Sequence, residues 1–125
     1  MSAIEERSFL KKIFKAYKFR ASKKSIPWEL SMDQFAAICS EPCAYCGAEP
    51  VHKEWLFGSN YNSTVRRFRS KEKFNGVDRI NNDNGYVSNN VAPCCKTCNH
   101  MKARMSVSDF LGHIKVIMAH IGHLK

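Results

Sequence analysis

The chain has 125 residues, and its 20 Lys and Arg outnumber its 11 Asp and Glu to give a net charge of +9. This length predicts a single domain with a modest core. The basic balance indicates a polyanionic partner, most simply nucleic acid, with a merely solvated basic surface as an equal alternative. No apolar run approaches the length of a membrane span, which excludes a transmembrane function, and the lack of a signal-peptide pattern predicts an intracellular protein.

The N-terminal third predicts two helices. Residues 4–20 place apolar side chains at three- and four-residue spacing, with lysines on the other faces, as in an amphipathic basic helix. Those lysines either form a solvated face or contact phosphates without reading bases. Residues 21–25 have the composition of a basic linker. Ser31 followed by Gln34 matches a capping box and predicts a second helix to about Ser40.

Residues 50–75 carry the weakest signals. Val51 to Phe57 fits either a short strand or a short helix. A basic run interleaved with Phe68 and Phe74 then precedes the next predicted strand, and this position favours phosphate contact over a solvated face. The basic residues of this run that we expect to bind nucleic acid are Arg66, Arg67, Arg69 and Lys71.

Gly76 to Arg104 predicts a strand, a turn, a second strand and a helix, in that order. Asn84-Gly85 is a strong reversal signal between the two strands. Asp78 on the first strand and Asn99 at the start of the helix each offer an oxygen ligand. Oxygen donors suit hard cations, so this arrangement is a compact way to hold one divalent ion such as Mg²⁺.

Two Cys-x-x-Cys pairs, Cys43 with Cys46 and Cys95 with Cys98, supply the four thiolates that structural zinc takes. Disulfides are the competing interpretation. A reducing cell interior, indicated by the missing signal peptide and the scatter of the other thiols, favours zinc. Cys94 adjoins Cys95, but only one of these neighbours has the x-x spacing to Cys98, so we prefer Cys95.

The C-terminal segment predicts a third amphipathic helix over residues 106–123. Ser106 and Asp109 provide helix-start chemistry, and an apolar stripe follows from Phe110 to Ile121. Packing in the core or in a homodimer explains the stripe without any ligand. The histidines of this segment have no acidic or cysteine partner, so we exclude them from the site.

Three motifs, in order along Cys43 to Lys102, carry a resemblance to a known family. They are Cys-x-x-Cys-Gly, Asn-Gly-Val-Asp-Arg and Gly-Tyr-x-x-x-Asn-Val-x-Pro-Cys-Cys-x-x-Cys-Asn-x-x-Lys. This pattern resembles the zinc-stapled subgroup of the HNH endonucleases. The resemblance implies an α+β fold: a ββα-metal core with the four-cysteine zinc site, flanked by N-terminal and C-terminal helices. The single domain, 1–125, would comprise 1–40, 43–104 and 106–123.

The resemblance also implies roles for four residues. Asp78 and Asn99 would hold the catalytic divalent ion, and the Asn90 side chain would tie the loop to the strand. Arg79 departs from the family, which usually has the general-base histidine at this position. A guanidinium stays protonated and cannot accept a proton from water, but it can clamp the scissile phosphate. The base then remains open among His52, Tyr86 and His100.

The function implied is metal-dependent hydrolysis of DNA phosphodiester bonds. Lys102, one helical turn beyond Asn99, is expected to contact a flanking phosphate, with Lys96 and Arg104 nearby in sequence. The main alternative is a zinc-stabilised DNA-binding module that lost catalysis with the histidine, and a protein-interaction zinc domain is a third. A monomer would nick DNA, whereas a homodimer would cut both strands of a palindrome.

Overall fold

A computed structural model describes residues 8–52, 54–57, 66–69 and 73–122 of the chain. The described part is a mixed α+β structure, as the sequence predicts, and both of its sheets are antiparallel and two-stranded. The helices are α1 (Ser8–Lys23), α2 (Met32–Cys39), α3 (Lys96–Lys102) and α4 (Val107–Gly122), and the strands are β1 (Glu54–Phe57), β2 (Arg66–Arg69), β3 (Gly76–Arg79) and β4 (Val91–Cys94).

The main hydrophobic core joins the two N-terminal helices to the region around β3. Aromatic rings dominate it: Phe14 and Tyr17 of α1 each meet Phe35 of α2 edge to face, with ring centroids 5.4 and 5.3 Å apart. Edge-to-face pairs of this kind add to the free energy gained from burial alone. The buried members of the core are Phe9, Leu10, Ile13, Phe35, Cys39, Phe74 and Val77.

The first N-terminal helix differs from its prediction at the C-terminal end, and the second begins as predicted. Residues 4–7 of the first predicted helix lie outside the described residues. Helix α1 continues into the predicted linker 21–25 and ends at Lys23. Ala21 is buried and its carbonyl accepts from the Ile26 amide, which explains why this segment packs on the protein. The capping box of α2 is present, with Ser31 and Gln34 each accepting from the other's backbone amide.

The segment that gave the weakest signals contains an antiparallel hairpin of β1 and β2. The register places Glu54 opposite Arg69 and Phe57 opposite Arg66. Of the two alternatives for Val51 to Phe57, the strand is therefore the one observed. Arg66, Arg67 and Arg69 lie on β2, of which the structure describes the backbone, and Lys71 lies outside the described residues.

Strands β3 and β4 pair in antiparallel fashion and lead directly into α3. Asp78 lies opposite Ala92, and Gly76 lies opposite Cys94. Cys95 follows β4 and is the N-cap of α3, where its sulfur accepts from the Cys98 amide at 3.4 Å. The order is thus strand, loop, strand, helix, which brings the acid on β3 beside the helix that carries the second cysteine pair.

Helix α4 exposes most of its apolar stripe. Phe110 is 3% exposed, but Leu111, Ile117, Met118 and Ile121 are each at least 40% exposed. Within the described residues the stripe therefore does not pack in the core, and the alternative of a homodimer stays a prediction. Among the helices of the described ranges, none combines the length and apolar character needed to cross a membrane.

Candidate functional site

The first cysteine pair lies in a tight turn beside β4. The Gly47 amide donates to the Cys43 carbonyl at 2.9 Å, and Gly47 has φ +77°, a left-handed conformation that glycine adopts without strain. The Ala44 amide donates to the Pro93 carbonyl of β4 at 2.8 Å. This hydrogen bond fixes the turn against the strand that leads to the second pair.

All four predicted cysteines come together. The sulfurs of Cys43, Cys46, Cys95 and Cys98 lie within 4.8 Å of one another, and those of Cys46 and Cys95 are 3.6 Å apart. Zinc–sulfur bonds of about 2.3 Å give a tetrahedron with sulfur–sulfur separations of about 3.8 Å. The donor set and its spacing therefore fit a zinc ion, and the prediction of a cluster that can hold such a metal is confirmed.

The protein environment prepares one of these thiols for metal binding. Burial raises the pKa of Cys43, but backbone amides of Cys95, Cys46 and Tyr45 donate to its sulfur and lower that pKa to about 6. A thiolate is the form that binds zinc. Burial and then the charge of Asp78 raise the pKa of the neighbouring Cys94 thiol to about 12. Cys94 is thus a neutral buried thiol outside the cluster, in agreement with the preference for Cys95.

Asp78 is a buried carboxylate with two donors. Its side chain is 5% exposed, and the Tyr45 hydroxyl donates to Oδ2 at 2.6 Å. The Lys102 ammonium lies 3.2 Å from Oδ2 and 3.4 Å from Oδ1. Lys102 is itself fully buried, and it also donates to the Arg79 carbonyl at 3.0 Å. The carboxylate is thus held by a phenol and an ammonium at once.

The position of Lys102 corrects its predicted role. We expected Lys102 to contact a flanking phosphate, but its ammonium is fully buried and paired with Asp78 of β3. An ammonium can be buried at this depth when a carboxylate and a carbonyl replace its water. Lys96 and Arg104, which we assigned to the same role, are exposed at the two ends of the α3 region.

Arg79 serves the adjoining loop in this structure. Its Nη1 donates to the Asn82 and Asn84 carbonyls at 2.9 and 3.1 Å, and its guanidinium lies 5.4 Å from the centre of the Tyr86 ring. Burial raises the pKa of Tyr86, although the charge of Arg79 opposes this effect. A phenol with a raised pKa is a poor general base, so Tyr86 is the weakest of the three candidates.

Asn90 ties the same loop together from the other side. Its Nδ2 donates to the Asn81 and Gly85 carbonyls at 3.0 and 2.9 Å, and its Oδ1 accepts from the Asn81 amide at 3.0 Å. The Asn90 side chain is 5% exposed. Three hydrogen bonds within a buried position fix the loop between β3 and β4, next to Asp78.

A groove of about 910 Å³ brings together three of the four predicted catalytic residues, and Asn90 is the one that does not line it. Asp78, Arg79 and Asn99 all line it, and so do His52 and His100. Asn99 and His100 are neighbours on α3, and both line this groove. His52 arrives from a distant part of the chain because Val51 pairs with Phe74, just before β3. Three further basic side chains are among the residues that line the groove: Arg20, Lys24 and Lys96.

Tyr45 is the residue that sequence reasoning missed. Its place inside the first cysteine pair predicts a packing rather than a catalytic residue, and its ring does meet Phe110 edge to face at 5.6 Å. Its hydroxyl, however, is the shortest hydrogen-bond donor to Asp78. The available signal was its place between Cys43 and Cys46, because a residue inside a metal-binding turn is held rigidly and can orient a neighbour.

Comparison with known proteins gives one partial match. The chain is 35% identical over 86 residues to an uncharacterized protein of Acanthamoeba polyphaga mimivirus. The matched stretch covers 69% of this chain but 13% of that relative, so the chain corresponds to a small part of it. No protein-family model matches the chain. No solved structure matches it either.

Proposed function

We propose that the chain is an HNH-type endonuclease domain that hydrolyses DNA phosphodiester bonds at a divalent metal ion. One observation carries the proposal: Asp78 of β3 and Asn99 of α3 line the same groove, within a strand–loop–strand–helix unit closed by the four-cysteine cluster. That is the arrangement implied by the ββα-metal core that the sequence resembles. The basic groove and the net charge of +9 support DNA as the substrate.

The donor set of the groove suits a hard cation. Asp78 contributes a carboxylate and Asn99 an amide oxygen, and water and phosphate oxygens commonly complete such sites. Lys102 shares the Asp78 carboxylate, so a divalent ion would bind beside a resident positive charge. When bound, the ion would polarise the phosphate and stabilise the leaving 3′-oxygen.

The chain's own residues would bind the DNA backbone and activate water. Arg20, Lys24 and Lys96 border the groove and are suited to phosphate contact without base recognition. An imidazole is the usual general base near neutral pH, and His52 and His100 both line the groove. We therefore assign the proton-accepting role to one of these two histidines. We assign to Arg79 the role of holding the loop in position beside the phosphate.

A specific observation favours a second function, that of an inactive DNA-binding module. The Lys102 ammonium already neutralises Asp78, and Arg79 donates to loop carbonyls. In this alternative, both residues that would act on the phosphate are used to hold the fold. The zinc cluster and the basic groove would then present DNA-binding side chains without cleavage.

Incubation of supercoiled plasmid with Mg²⁺, Mn²⁺ or EDTA separates the two functions. We expect cleavage that requires a divalent ion. The cleavage rate should fall by more than about 100-fold in Asp78→Asn, because replacing residues that only orient a metal ligand already lowers activity by about 10- to 100-fold. Asp83→Asn is the matched control, because Asp83 is an exposed acid of the adjoining loop. A nicked product is expected from a monomer, and a linear product that forms without a nicked intermediate is expected from a homodimer.

The opposite result identifies the second function. If the wild-type chain retards the plasmid on a gel but cleaves it under none of these metals, the domain is a binding module. If cleavage occurs, His52→Ala and His100→Ala made separately show which histidine accepts the proton, since loss of the base reduces the rate at saturating DNA.

A further inference from the structure

Tyr45 connects the cysteine cluster to Asp78 directly. It lies in the turn between Cys43 and Cys46, and its hydroxyl donates to Asp78 Oδ2 at 2.6 Å. A hydrogen bond of this length to an ionised carboxylate is stronger than a bond between neutral groups. The ring is held on its other side by Phe110 of α4, so the phenol has little freedom to follow the carboxylate. A displacement of the turn that carries Tyr45 would therefore act on Asp78 Oδ2 through this hydrogen bond.

The second donor to Asp78 comes from the other half of the cluster. Lys102 ends α3, the helix whose first turn carries Cys98 and whose N-cap is Cys95. Each cysteine pair therefore delivers one donor to the same carboxylate: Tyr45 from the first pair and Lys102 from the second. A metal that draws the two pairs together also fixes the distance between these two donors.

We propose that Tyr45 is a positioning residue through which the four-cysteine cluster sets the orientation of the Asp78 carboxylate in the groove. A buried ion pair contributes little net stability compared with apolar side chains of the same shape. The effect of the Tyr45–Asp78–Lys102 arrangement is therefore geometric. The consequence for cleavage rests on the proposed function, whereas the orientation itself can be measured without cleavage.

The test uses the full chain as Tyr45→Phe, which removes the hydroxyl and keeps the ring against Phe110. Tyr17→Phe is the matched control, because the Tyr17 hydroxyl accepts from the Val77 amide at 3.4 Å, one residue from Asp78. Zinc content is measured first for each protein. The carboxyl-carbon NMR signal of Asp78 is then recorded with zinc in the cluster and again after replacement of zinc by the larger cadmium ion.

We expect zinc to be retained in all three proteins. The Asp78 signal should shift in Tyr45→Phe and stay in place in Tyr17→Phe. Exchange of zinc for cadmium should move the Asp78 signal in the wild-type chain and move it by less than half as much in Tyr45→Phe. If the Asp78 signal is the same in Tyr45→Phe as in the wild type, or if cadmium moves it equally in both, the proposal is overturned.

The cleavage assay adds a readout that depends on the proposed function. In an active enzyme, Tyr45→Phe should lower kcat by about 10- to 100-fold with little change in KM, as is typical of residues that orient a ligand. Absence of cleavage in the wild type would reject the nuclease function alone, because the NMR measurements still decide whether Tyr45 positions Asp78.

Discussion

The buried side chains of Asp78 and Asn90 both have hydrogen-bond partners elsewhere in the chain. Asp78 receives Tyr45 and Lys102, which are 33 and 24 residues away. Asn90 reaches Asn81 and Gly85, nine and five residues earlier. Burial of such groups is tolerated because these bonds replace water. The contribution of each partner can therefore be tested by replacing a single residue.

Asn90→Ala should destabilise the domain by about 2–4 kcal/mol, because three hydrogen bonds are lost and buried loop groups are left without partners. Urea unfolding at constant zinc concentration measures this loss. Asn89→Ala is the control: Asn89 is exposed and adjacent, so its replacement should change the free energy of unfolding by less than about 0.5 kcal/mol. Equal unfolding midpoints for the two variants would contradict the role assigned to Asn90.

At the scale of elements, the sequence predicts best those structures that depend on short-range chemistry. Helix α2 begins where Ser31 and Gln34 cap it, and α4 begins after Ser106, whose hydroxyl accepts from the Asp109 amide. Both signals lie within four residues of the helix start. The cysteine spacing is equally local within each pair, and it predicted the four cysteines whose sulfurs cluster.

Long-range pairings are the part that the sequence did not reveal. The β1–β2 hairpin and the bridge from Val51 to Phe74 depend on which segments meet in three dimensions. The same is true of Lys102, whose spacing from Asn99 suggested contact with a flanking phosphate but whose ammonium pairs with Asp78. A lysine carries the same sequence signal whether it is solvated or buried against an acid, and the acid's position is set by the fold.

The assignment of four ligands among six cysteines can be tested by zinc content. Cys95→Ser should abolish stoichiometric zinc binding, because Cys95 supplies a ligand and also caps α3. Cys94→Ser, at the adjacent residue, should keep zinc, since the Cys94 sulfur donates to the Cys95 carbonyl and lies outside the cluster. Elemental analysis of the purified proteins measures both.

The reverse pattern, zinc lost with Cys94→Ser and kept with Cys95→Ser, would mean that the register of the second pair is wrong. Loss of zinc in both variants could follow from unfolding of Cys94→Ser, whose side chain is 1% exposed. Circular dichroism of Cys94→Ser in the presence of added zinc separates that case from a change of ligand.

At the scale of the whole molecule, several of the chain's basic side chains line the groove. Lys24 follows α1 and Lys96 begins α3, so the groove is bordered by cations from two distant parts of the chain. Lys115 on α4 is exposed as well, but it does not line the groove. This contrast allows the proposed binding of DNA at the groove to be tested through charge alone, independently of any cleavage.

DNA affinity should fall steeply with salt, because each lysine that neutralises a phosphate releases bound counterions. Measured by fluorescence anisotropy without Mg²⁺, the plot of log K against log salt should lose about one unit of slope in Lys24→Ala and again in Lys96→Ala. Lys115→Ala should leave the slope unchanged. An equal loss in Lys115→Ala would mean that DNA contacts the basic surface at large. A flat plot for the wild type would remove DNA as the partner, and with it both functions considered for the groove.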